Sequence, residues 1–113
     1  MERRKLKRRH LIYYLRVYDR TTGQLLGRLG DLTTDGVMLI SEEPIEIRKT
    51  FHLRIDLPEQ IEGRREITFE AISRWASKDI NPNFHDTGFQ FSVISRDDLD
   101  AVIELIEELL LPD

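Results

Sequence analysis

Between Phe51 and Leu57 the chain alternates without a break. Phe51, Leu53, Ile55 and Leu57 are apolar, and His52, Arg54 and Asp56 stand between them. Side chains of a β-strand point to opposite faces with a period of two. This stretch therefore predicts a strand with one face in a core and the other in water. Such half-wetted strands belong to antiparallel sheets. Pro58 has no N–H to give to a ladder, which predicts the strand's end there.

The same period recurs along the chain. Leu11 to Tyr18 predicts a first strand, with Tyr13, Leu15 and Val17 on one face. Asp19 to Gly23 is turn chemistry, with Gly23 suited to a positive φ. Gln24 to Leu32 predicts the hairpin's second strand, in which Gly27 and Gly30 suggest a bend, a bulge or a close backbone approach. Val37 to Ile40 follows a polar turn over Asp31 to Gly36, and Glu42-Glu43-Pro44 closes it. Glu59 to Arg64 reads as a charged loop. Glu66 to Ala76 alternates through Ile67, Phe69, Ala71 and Ser73, with Trp75 at the same parity. Lys78 to Phe84 is a polar loop. Thr87 to Ile94 predicts the last strand, with Phe89, Phe91 and Val93 on one face.

A helix follows over 96–111. Ser95 suits its N-cap, and Asp97 and Asp98 suit the positive end of its dipole. Leu99, Val102, Ile103, Ile106, Leu109 and Leu110 recur at three- and four-residue spacing and predict one apolar stripe. Six strands joined by short turns, then one helix, predict a mainly β fold. The expected form is a small six-stranded antiparallel barrel or sandwich with a C-terminal α-helix. At 113 residues the chain predicts a single domain.

Charge divides the chain. Residues 1–10 hold six Lys or Arg against Glu2, a net +5, so the other 103 residues carry −9 toward the total of −4. With Leu6 as the one apolar residue between Glu2 and His10, this basic arm cannot bury enough surface to fold alone. A positive arm on an acidic body implies an anionic partner. A solvated N-terminus is the plainer alternative. The chain has no cysteine, which excludes disulfides and thiolate metal sites. His10, His52 and His85 are too scattered for a metal-ligand spacing. No apolar run reaches membrane-spanning length, and no cleavable signal pattern follows the basic start, so a cytoplasmic protein is expected. No nucleophile sits at a recognisable spacing from a base, so an enzyme is not expected.

Two short motifs bear on function. Arg4-Lys5-Leu6-Lys7-Arg8 is an R-x-x-x-R, and Asp31-Leu32-Thr33-Thr34-Asp35-Gly36 is a D-x-T-x-x-G. In this order on a six-stranded pattern, they resemble the PilZ domain family, whose pattern is R-x-x-x-R followed by [D/N]-x-S-x-x-G. The strand with Gly88-Phe89-Gln90-Phe91, a Trp near the end of the fifth strand and the closing helix also fit the family's order. The resemblance implies a split-barrel fold over 11–113 with a flexible ligand-binding arm at 1–10. It also implies a bacterial cyclic di-GMP receptor that signals to a protein partner in motility, exopolysaccharide or biofilm control.

The ligand residues it implies are Arg4, Arg8, Asp31, Thr33 and Gly36. Read from the residues themselves, Trp75, after basic Arg74, offers an apolar face to a base. Arg3 stands where a basic residue favours a stacked ligand pair over a single molecule. No cofactor is implied. Thr33 departs from the family's Ser, keeping the hydroxyl and adding a methyl at a restricted χ1.

These residue types suit the ligand. An Arg fork donates to guanine's O6 and N7, or to a phosphate. A carboxylate accepts from guanine's N1–H and N2–H. Plainer readings stand beside these. Asp31 and Thr33 also serve as turn residues that satisfy their own backbone, with Gly36 at a positive φ. Trp75 shares the parity of Ile67 and Phe69, which places it in the core. Two other functions fit the sequence: a ligand-free adaptor of the same fold, and a nucleic-acid binder using the arm on phosphates. The acidic barrel disfavours the second.

Overall fold

The computed structural model of the chain describes residues 15–61 and 63–110. The arm and residues 11–14 of the expected first strand lie outside them. Six strands form: β1 (Arg16–Asp19), β2 (Leu25–Leu32), β3 (Gly36–Ser41), β4 (Thr50–Ile61), β5 (Arg64–Lys78) and β6 (His85–Val93). One helix follows, α1 (Arg96–Leu110). The strands close into a barrel in the order β1-β2-β3-β6-β5-β4, with every pairing antiparallel. Among the described strands, closure leaves no sheet edge to template another chain.

The alternation sets the inside of the barrel. Phe51, Leu53 and Ile55 on β4 stand opposite Ala71, Phe69 and Ile67 on β5, and all six are buried. Val17, Leu29, Leu39 and Phe89 complete the wall from the other strands. A bulge beside Gly30 lets β2 bend between Leu29 and Asp31.

Two elements depart from the sequence expectation. Strand β4 does not stop at Pro58. It runs on to Ile61, which pairs with Arg64, so the expected 59–64 loop shrinks to a tight turn at Gly63. Pairing is irregular between Asp56 and Ile61, and a proline is tolerated where no ladder N–H is required.

The second departure is the rotation of α1. Ala101, Val102 and Leu105 are buried on the barrel, with Leu99 and Ile106 packed beside them, while Ile103 is 36% exposed. The expected stripe had included Ile103 and omitted Ala101 and Leu105. Asp98, a buried carboxylate, lies on the docked face. Its Oδ1 accepts from the Thr68 N–H of β5 at 3.1 Å and pairs with Arg64 at 3.0 Å. Its Oδ2 accepts from Ser95 Oγ at 2.7 Å, and Ser95 Oγ in turn accepts from the Asp98 N–H at 3.1 Å. Ser95 thus caps the helix as expected. The Asp98 bonds also tie this face of α1 to β5.

Removing one member of such a network leaves the others unpaired. Asp98→Ala should lower the unfolding free energy by roughly 2–4 kcal/mol, measured by urea denaturation, because Thr68 N–H and Arg64 lose their acceptor. Asp97→Ala, at an exposed neighbour, should change it little.

Candidate functional site

An open groove of ≈ 480 Å³ lies where the β2–β3 connection meets β5 and β6. Asp31, Thr33 and Asp35 line one side, and Arg74, Trp75 and Gln90 line another.

The first side is a loop shaped by its own polar groups. The Thr33 N–H donates to the Gly36 carbonyl at 2.9 Å. Thr33 Oγ1 accepts from the Asp35 and Gly36 N–H groups at 3.1 and 3.2 Å. Asp31 Oδ1 accepts from the Leu32 N–H at 2.9 Å. The plainer reading of these residues as backbone-satisfying turn groups therefore describes part of what they do. A carboxylate has two oxygens, so Asp31 keeps acceptor capacity toward the groove. Asp31 itself lies in β2 opposite Met38, not in the turn.

Gly36 is needed for a different reason from the one expected of a turn glycine. It has no positive φ. Instead, a Cβ on Gly36 would overlap the Phe89 carbonyl, because β3 and β6 pair closely there, with Gly36 opposite Gln90. The Phe91 N–H donates to the Asp35 carbonyl at 2.8 Å and ties the loop to β6.

Trp75 overturns its parity. Ser73, at 0% exposure, faces inward, yet Trp75 two residues later is 48% exposed. The register explains this: Ser73 pairs with Phe89 and Trp75 with Gly88, so Arg74 is an extra residue in a β-bulge. One inserted residue reverses the inside-outside order beyond it. The indole lies across Gly88, where a Cβ would strike Nε1 and Cε2. Gly88 was the signal in the sequence, since a glycine within a strand marks a close approach. Sequence reasoning missed Arg74 and Gln90. They join across the strands, the Arg74 Nε–H donating to Gln90 Oε1 at 2.8 Å. Arg3, Arg4 and Arg8 lie outside the described residues. The structure thus brings together Asp31, Thr33, Gly36 and Trp75.

Further along the β5–β6 ribbon, Asp86 pairs with Ser77, two residues before Gly88. Its Oδ1 is shielded from water with no hydrogen-bond partner among the described residues. Burial, then the hydrogen bond and charge of Asp79, push the Asp86 carboxyl up to about 6. The same hydrogen bond is the main cause that lowers Asp79. One proton on Asp86 shared with Asp79 accounts for both directions. Among the described residues, no group of His, Asp and Glu forms a metal site, and no helix is long and apolar enough to cross a membrane.

Two measurements follow from this geometry. An Asp86 carboxyl raised from 3.8 to about 6 contributes stability that is complete below the unfolded value and lost as pH rises through about 6. Asp86→Asn carries its own donor at every pH. Its thermal midpoint should therefore exceed the wild type's by a few degrees at pH 7.5, and the gap should close by pH 4.5. Gly88→Ala should displace the indole, and fluorescence reads this directly because Trp75 is the chain's single tryptophan.

The fold agrees with the comparisons. Among solved structures, the chain is similar to the Bacillus subtilis inhibitor of motility (MotI/DgrA), with a TM-score of 0.68 and 21% identity. The likeness covers 85% of this chain and 46% of that one, so this chain spans less than half of that protein's length. At this identity the likeness carries the fold alone. A comparison with curated proteins gives no match. The family model of the PilZ domain matches residues 2–108, a span that takes in the arm, all six strands and most of α1. The chain belongs to the PilZ domain family.

Proposed function

We propose that this chain is a cyclic di-GMP receptor that couples ligand binding at its groove to a protein partner. The observation that carries the reading is the exposed Trp75 indole on the same groove as Asp31 and Thr33. A flat aromatic face suits a base, and a carboxylate suits guanine's N1–H and N2–H edge. Family membership supports the same ligand class.

The groove cannot do this alone. Asp31 and Asp35 on its rim repel a ligand carrying two phosphates. Arg74 is the one cation among the groove's lining residues, and the arm holds six more. Arg4 and Arg8 are the proposed forks onto guanine or phosphate, with Arg3 beside them favouring a stacked ligand pair. Ordering each arm residue costs about 1–2 kcal/mol, so several charge-assisted bonds must form together. The ordered arm then presents a new surface to the partner, or withdraws one. The neighbour is an inhibitor of motility, which makes motility control the first output to examine.

A second reading has its own support. Asp31 and Thr33 already satisfy backbone groups of their loop, as they would in an adaptor without ligand.

Calorimetric titration separates the two. Cyclic di-GMP should bind the wild type saturably, GTP should not, and Arg4→Ala/Arg8→Ala should weaken binding on the order of a hundredfold or more. Arm amides should lose mobility by NMR at saturation. No binding to the wild type by calorimetry and by Trp75 fluorescence would favour the ligand-free adaptor.

A further inference from the structure

Arg74 stands at a position the motifs do not cover, and two features aim it. It is the extra residue of the β5 bulge, so it falls between the pairs Ser73–Phe89 and Trp75–Gly88. Bulges re-aim a side chain in this way. Gln90, exposed on β6, then accepts its Nε–H at 2.8 Å. A guanidinium has two donor forks, one made of Nε–H with an Nη–H and one made of the two Nη groups. Gln90 occupies the first. By the planarity of the group, the second is directed away from Gln90 and is fixed in orientation.

The groove's charge says what that fork can meet. Asp31 and Asp35 line the same groove, so a phosphate seated there faces two carboxylates. A guanine is neutral. It offers an acceptor pair, O6 and N7, on one edge and a donor pair, N1–H and N2–H, on another. A fork of donors and a carboxylate in one groove match these two edges, and the Trp75 face suits the ring between them. Adenine has an amino donor where guanine has O6, and it would set donor against donor.

We infer that Arg74 reads the O6/N7 edge of a guanine seated on Trp75, with Gln90 as its positioning residue, and that this pair makes the groove select guanine over adenine. The inference rests on the receptor reading above and adds a specificity determinant to it.

The test titrates the full chain with cyclic di-GMP and with cyclic di-AMP. The proteins are the wild type, Arg74→Ala, Arg74→Lys, Gln90→Leu and the Arg74→Ala/Gln90→Leu double variant. Arg74→Ala should weaken cyclic di-GMP binding at least about fivefold and narrow the preference over cyclic di-AMP. Arg74→Lys keeps the charge but loses the Nε–H, and it should not restore the preference. Gln90→Leu should weaken binding in the wild-type background and add nothing once Arg74 is Ala. Thermal midpoints should be unchanged, because both residues are exposed.

Three results would overturn the inference while leaving the receptor reading intact. The first is an Arg74→Ala variant that binds like the wild type. The second is an equal loss for both dinucleotides, which would place Arg74 on phosphate. The third is a Gln90→Leu effect that persists without Arg74, which would make Gln90 a fold residue. A wild type that binds neither dinucleotide would remove the receptor reading and this inference with it.

Discussion

The groove depends on the hydrogen bonds of one buried serine. Ser73 is fully enclosed on β5. Its Oγ donates to the Glu46 carbonyl at 2.7 Å and accepts from the Lys49 N–H at 3.1 Å. Its backbone N–H donates to the Lys49 carbonyl at 3.0 Å, and its carbonyl accepts from the Arg48 N–H at 2.6 Å. The connection between β3 and β4 would otherwise leave these groups without partners. The clamp also holds Arg48 at a φ of 63°, a left-handed conformation costing about 1–2 kcal/mol for a non-glycine residue. At this same residue β5 changes register against β6. The barrel thus gains a well-satisfied connection on one side and a bulge on the other. The bulge turns Arg74 and Trp75 into the groove.

Close approaches then fix the groove's outline. Gly36 lets β3 and the Asp31–Gly36 loop press against β6, and Gly88 lets the indole lie flat on the strand. Neither contact contributes much apolar burial. Each removes room, and in a close-packed structure that determines where neighbouring groups sit. The loop's polar side chains are held by short local bonds, so its shape does not depend on a ligand. A preformed groove keeps down the ordering cost of binding, and in the proposed receptor that cost falls on the arm.

Charge separation gives the fold its directionality. The arm's +5 faces a remainder of −9. Within that remainder, carboxylates have distinct roles set by their surroundings. Asp98 is buried, paired and structural. Asp31 is exposed at the groove. Asp86 is held partly out of water beside Asp79 and retains a proton to higher pH than a free carboxylate. Identical side chains thus anchor a helix, line a site and titrate.

Much of this was legible in the chain itself. Period-two alternation located the strands, because the inward positions of a strand must be apolar wherever it walls a core. Ser95 and the acids after it located the start of the helix, since a helix N-terminus needs acceptors for its unpaired N–H groups. The motif Asp31 to Gly36 and the basic arm were visible as local patterns that resemble one family. What only the tertiary structure decided is what depends on register between distant segments. The bulge at Arg74 follows Ser73, which is bonded to the 46–49 connection, and it shows only in the pairing of β5 with β6. Trp75 therefore points outward against its parity. Gly36 serves a close strand pairing and not a positive φ, and α1 docks through bonds to Thr68 and Arg64 some thirty residues away. Local periodicity is set by each residue's own geometry, whereas register is set by pairing partners that only folding brings together.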